Sequence, residues 1–105
     1  MMSNQPTNAE LANVPAGWQQ LIRDCIQELT KIEPDCRLLD AREKLGVLSI
    51  TISTEMPLAA QALDEVRSKY ERFARSVCQF CGAPGEQGAR SVRCRDCVRE
   101  VTHER

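Results

Sequence analysis

The chain has 105 residues, 42% of them hydrophobic, a formal net charge of -1 and six cysteines. That length supports one modest core, or one core with a metal-stabilised appendage, rather than two independent domains. No run approaches the roughly 20 apolar residues of a membrane span, and the polar stretch from Met1 to Asn13 lacks the basic and apolar regions of a signal peptide.

A cytoplasmic location is therefore expected. In a reducing compartment, paired cysteines point to a metal site rather than to disulfides. Only four aromatic residues are present, Trp18, Tyr70, Phe73 and Phe80, so Leu, Ile, Val and Ala must supply most of the core.

Residues 1–16 are rich in Asn, Gln, Pro and small side chains, and are expected to form a disordered tail. From Trp18 the pattern changes. Trp18, Leu21, Ile22, Cys25, Ile26, Leu29 and Ile32 recur at helical spacing, with Pro34 as the stop. Leu38 to Arg42 then reads as a short strand, followed by a turn through Glu43, Lys44, Leu45 and Gly46.

Val47 to Thr54 is β-branched and alternating, with Leu48, Ile50 and Ile52 on one side and Ser49, Thr51 and Ser53 on the other. The two segments form a β-hairpin whose apolar face needs helices to cover it. Pro57 opens a second helix of about 20 residues, with Ala59, Leu63, Val66, Tyr70, Phe73 and Val77 along one stripe. It serves either as a brace across the hairpin in a monomer or as the contact of a homodimer.

The chemistry lies beyond residue 77. Cys78-Gln79-Phe80-Cys81 and Cys94-Arg95-Asp96-Cys97 are two C-x-x-C pairs with twelve residues between them. Each pair brings two sulfurs onto one ion, and two pairs complete the tetrahedron that Zn²⁺ accepts at about 2.3 Å per sulfur. One structural Zn²⁺ held by Cys78, Cys81, Cys94 and Cys97 is the expected cofactor. Gly82 permits the backbone of a knuckle, Pro84-Gly85 and Gly88 turn the intervening segment back, and Val98 to Val101 has helical character.

Knuckle, hairpin and helix is the order of a treble clef; a ribbon would place a strand after the second pair. The expected architecture is thus α+β: a helix-hairpin-helix core over 17–77 and a treble-clef or ribbon-like four-cysteine finger over 78–105. Loss of a zinc ligand is expected to loosen the finger and spare the core.

The other titratable singletons have plain readings. Cys25 falls on the apolar stripe of the first helix, Cys36 sits in a loop with no partner at ligand spacing, and His103 lies in a tail. No function is assigned to them. Trp18, Tyr70 and Phe73 read as core, not as base-stacking groups.

At Gly17-Trp18, Arg42-Glu43-Lys44-Leu45-Gly46 and Cys78-Gln79-Phe80-Cys81-Gly82-Ala83-Pro84-Gly85 the chain resembles a family of small uncharacterised bacterial and phage proteins. Members look like a Gly-Trp helix, a Glu-Lys-aromatic-Gly hairpin, a long helix and a C-x-x-C-G-x-P-G zinc knuckle. Two positions depart from that pattern. Leu45 replaces the usual aromatic, and the second pair is Cys-x-x-Cys where the family often has Cys-x-x-His. The family implies no activity.

Three functional classes compete. A non-enzymatic interaction module, in which zinc fixes a surface for another protein such as the target of an inhibitor, immunity partner or regulator, is the first expectation. Nucleic-acid binding through Arg90, Arg93, Arg95 and Arg99, with Arg75 nearby, is the alternative. Residues 74–105 hold six arginines and four acids, but four thiolates with one Zn²⁺ contribute -2 and bring the loaded finger near neutral. An enzyme is the least expected, because four thiolates close the zinc shell and His103 is the single histidine.

Overall fold

The computed structural model describes residues 10–54, 57–88 and 91–97. The expected α+β architecture is present. Helix α1 (Gln19–Ile32) leads to strand β1 (Arg37–Lys44), strand β2 (Val47–Ser53), helix α2 (Ala60–Phe73) and a second pair of very short strands, β3 (Glu86–Gln87) and β4 (Val92–Arg93). Short 3-10 turns at Ala16–Trp18, Pro57–Ala59 and Ala74–Ser76 flank the helices.

Helix α1 forms where the apolar stripe requires it. Trp18, Ile22, Cys25, Ile26 and Leu29 are all 0–1% exposed, so one face is removed from water while Gln20 and Gln27 stay outside. Cys25 is core, as read. The helix ends at Ile32, where Glu33 turns extended one residue before Pro34, because a residue preceding proline avoids the helical region.

β1 and β2 pair antiparallel from Arg37↔Ser53 to Lys44↔Val47, with an irregularity between Leu38 and Asp40. The first strand runs closer to the tip than expected, with Glu43 and Lys44 in β1, while β2 starts at Val47 as read, and the turn is only Leu45-Gly46. These two residues have φ of 52° and 83°, the pair of positive values that a type I′ turn requires. Leu48 and Ile50 point into the core as the alternation predicts, with Leu38 and Ala41 on the same side.

Helix α2 covers the hairpin. The backbone N-H of Ile50 donates to Glu71 Oε2 at 2.8 Å, and Arg67 Nη1 lies 3.0 Å from the same oxygen, so a strand-edge amide is capped by a helix side chain. Lys69 Nζ, 2.7 Å from Glu28 Oε2, ties α2 to α1. Of the expected core stripe, Leu63 and Tyr70 are buried, but Phe73 is 46% exposed. Four residues beyond Tyr70 comes Ala74, which is 1% exposed; the core face passes through it, leaving Phe73 edge-on to Tyr70 with ring centres 5.4 Å apart.

The expected extent of the N-terminal tail needs correction. Residues 10–16 are no disordered tail: Leu11 and Val14 are 1% and 4% exposed and belong to the hydrophobic core, held by a Val14 N-H to Leu11 carbonyl bond of 2.9 Å. Residues 1–9 lie outside the described residues. The finger packs on the helix-hairpin-helix unit: Val92 of β4, fully buried, lies in the same hydrophobic cluster as Trp18 and Leu48.

Candidate metal centre

The knuckle is built by the backbone. Gly82, at φ 84°, lets the chain reverse so that its N-H reaches the Cys78 carbonyl at 2.9 Å, and the Cys78 N-H reaches the Ala83 carbonyl at 2.7 Å. Pro84 bridges back to Val77, and the Gly85 N-H bonds to the Ser76 carbonyl at 2.9 Å. This fixes the first pair of cysteines on a tight loop at the end of the α2 rod.

The second pair is delivered by β4. Gln79 holds both backbone polar groups of Val92: its backbone N-H donates to the Val92 carbonyl at 3.0 Å, and its side-chain Oε1 accepts the Val92 N-H at 2.8 Å. Gln79 is 6% exposed, so both bonds are sheltered from water. Sequence reasoning left Gln79 without a role; a polar residue inside a C-x-x-C loop has a backbone register to set. After Cys94 the chain becomes helical over 95–97.

These two deliveries bring the four sulfurs together. All Sγ atoms of Cys78, Cys81, Cys94 and Cys97 lie within 4.8 Å of one another, with Cys78 to Cys97 and Cys81 to Cys94 each 3.5 Å. Four sulfurs bound tetrahedrally at about 2.3 Å stand about 3.8 Å apart. The side chains therefore fit one tetrahedral dication, and among the described residues no other residue type enters the set.

The electrostatics suit a cation. At Cys78 burial disfavours the thiolate, but the backbone N-H groups of Cys94, Phe80 and Cys81 and the Cys97 thiol outweigh it and bring the group down to about 6. Cys97 is pushed up by its contacts with Cys78 and Cys94. Cys81, favoured as thiolate by the Ala83 amide, is nonetheless raised by the neighbouring Cys94 and Cys78 sulfurs. Such mutual opposition is relieved when a dication, rather than shared protons, neutralises the cluster.

Two contacts lock this centre to the first helix. The Gly17 N-H donates to the Gln79 carbonyl at 2.9 Å, and Trp18 Nε1 donates to the Val77 carbonyl at 2.8 Å. A Cβ on Gly17 would stand 2.1 Å from the Cys78 carbonyl oxygen and 2.7 Å from the Gly82 nitrogen. Glycine is required there for backbone approach, not for its dihedral freedom.

The remaining predicted site residues divide. Arg93 lies with its guanidinium carbon 4.8 Å from the Phe80 ring centre and its Nε bonded to Ser91 Oγ at 2.8 Å. Arg95 is exposed. Arg90, Arg99, His103 and the expected helix over Val98 to Val101 lie outside the described residues. Cys36 is fully buried, its N-H bonded to the Glu33 carbonyl at 3.0 Å, and burial raises its thiol. Cys25 is likewise pushed up, to about 12, by burial and by Glu28; both behave as packing residues. Among the described residues no helix is long and apolar enough to cross a membrane. No known protein family, curated protein or solved structure matches the chain.

Proposed function

We propose that the chain is a non-enzymatic, cytoplasmic interaction module in which one structural Zn²⁺, held by Cys78, Cys81, Cys94 and Cys97, shapes a surface for another protein. The observation that carries this reading is the closed set of four sulfurs within 4.8 Å. Four thiolates fill a tetrahedron and leave no position for a reacting water, so the metal's part is architectural. Helical backbone over 95–97, straight after Cys94, favours a treble clef over a ribbon.

Nucleic-acid binding is the second reading, favoured by one observation: Phe80 is 47% exposed with Arg93 stacked on it, a combination suited to unpaired bases. Against it, exposed Glu86 and Asp96 interleave with Arg93 and Arg95 and blunt attraction to phosphate. Affinity capture from the native host with the zinc-loaded protein, with and without nuclease, separates the two. A directly bound protein retained after nuclease supports the module; loss of every partner after nuclease replaces it with the nucleic-acid reading.

A further inference from the structure

Between the β3-β4 hairpin and the second cysteine pair the surface folds into an open cleft of about 710 Å³, lined among others by Glu86, Gln87, Arg93 and Arg95. The lining thus holds two arginines and one carboxylate-bearing residue. Arg93 is pre-oriented by Phe80 and Ser91, and a fixed planar guanidinium is suited to carboxylate recognition because little side-chain freedom remains to be lost. Residues 1–73 carry the chain's acidic excess, so the arginine pair stands apart on an otherwise acidic chain, beside a finger that is near neutral once its thiolates hold Zn²⁺.

The cleft has an apolar neighbour. Gln87 Nε2 donates to the Gly46 carbonyl at 3.4 Å, which seats the tip of the β1-β2 hairpin beside it. At that tip Leu45 and Val47 are 63% and 44% exposed. Leu45 is also the one non-glycine residue with positive φ among the described residues, a conformation costing about 1 kcal/mol or more that Asn or Gly would adopt more easily. Leu45 is thus both strained and exposed, and with Val47 it presents an apolar tip beside the arginine-bearing cleft.

We propose that this surface docks an acidic segment of a partner protein, its carboxylates meeting Arg93 and Arg95 and an aliphatic side chain meeting Leu45 and Val47. The proposal rests on the protein-interaction reading above and adds the chemistry of the partner. Charge complementarity selects the occupant. A continuous phosphate backbone would have to pass Glu86 and Asp96, whereas a short carboxylate-bearing peptide need engage only the two arginines.

The test uses the full-length zinc-loaded protein and three labelled probes of equal length: a peptide alternating Glu and Leu, the same peptide with Lys for Glu, and a single-stranded oligonucleotide. Anisotropy should show saturable binding of the Glu-Leu peptide alone, weakening as salt rises. Arg95→Glu should lower its affinity at least tenfold, and Leu45→Asn should lower it several-fold although asparagine suits the turn better. The inference is overturned if the Glu-Leu peptide does not bind, if both variants bind like the parent, or if the oligonucleotide binds tightest. A missing peptide interaction alongside nuclease-resistant partner capture removes this docking site and leaves the module; nuclease-sensitive capture removes the module itself.

Discussion

The indole N-H of Trp18 and the carbonyl of Val77, 59 residues apart in sequence, are joined by a buried-side hydrogen bond of 2.8 Å one residue before the first metal cysteine. With the Gly17 to Gln79 bond beside it and Val92 inside the core, it makes the knuckle part of the wall that closes over α1. Metal binding and core packing should therefore behave as one cooperative event. Urea unfolding of the loaded protein should give coincident transitions by Trp18 fluorescence and far-ultraviolet circular dichroism, and Cys94→Ser should destabilise both signals together. A variant whose helices melt unchanged while the finger alone is loose would return the two-unit division that the sequence suggested.

Gly17→Ala tests the same contact by sterics. The added methyl meets backbone atoms of the knuckle at 2.1 to 2.8 Å, and backbone cannot step aside as a flexible side chain can. Overpacking of this kind costs about 1–3 kcal/mol, and zinc should pass to a competing chelator more readily than from the parent. Parent-like stability and metal retention would show that the close approach is dispensable.

At the hairpin tip the direction reverses. Leu45→Asn places a residue tolerant of the left-handed region before Gly46, and relief of strain should stabilise the chain by roughly 0.5–1 kcal/mol. Chemical denaturation reads the gain; a loss would mean that Leu45 supports the fold rather than a contact surface.

Glu71 offers a test of edge capping. Glu71→Ala removes the acceptor of the Ile50 N-H and should cost about 1–3 kcal/mol, the usual penalty for leaving such a donor unmet. Glu71→Gln keeps an acceptor there and should cost less. Equal losses in the two variants would assign the effect to charge instead.

Tyr70, the single tyrosine, is pushed up from 10.0 to about 12 by burial and by the nearby Glu28 carboxylate. A raised phenol favours the folded state while it stays neutral. Its contribution is complete below pH 10 and is lost as the pH climbs from there through about 12. Tyrosinate absorbance of the native protein should titrate near the upper value, and that of urea-unfolded protein near the lower; identical midpoints would contradict the packing of Tyr70 against α1.

Much of this organisation is legible in the residues. The α1 stripe, the alternation of Leu48, Ile50 and Ile52, and the two C-x-x-C pairs each express a local period or spacing that one short stretch of chain carries by itself. What escaped was non-local. Leu11 and Val14 sit in a polar composition that suggested a tail, although their spacing to Trp18 continues the α1 stripe. Gly17 carried no packing role in the sequence, because the carbonyl it must admit comes from Cys78. Phe73 differs from Ala74 by a single position on the helix, and hydrophobicity favoured the larger side chain while the angle of packing favoured the smaller. Gln79 and Val92 gained their roles only when the knuckle and β4 met.

The central claim is that Cys78, Cys81, Cys94 and Cys97 hold one zinc ion. X-ray absorption at the zinc edge, joined to elemental analysis of metal-replete protein, addresses it most directly. The expected result is one zinc per chain surrounded by four sulfurs at about 2.3 Å. Less than about half an equivalent of zinc, with all four thiols free to react, or a shell containing nitrogen or oxygen, would contradict the account.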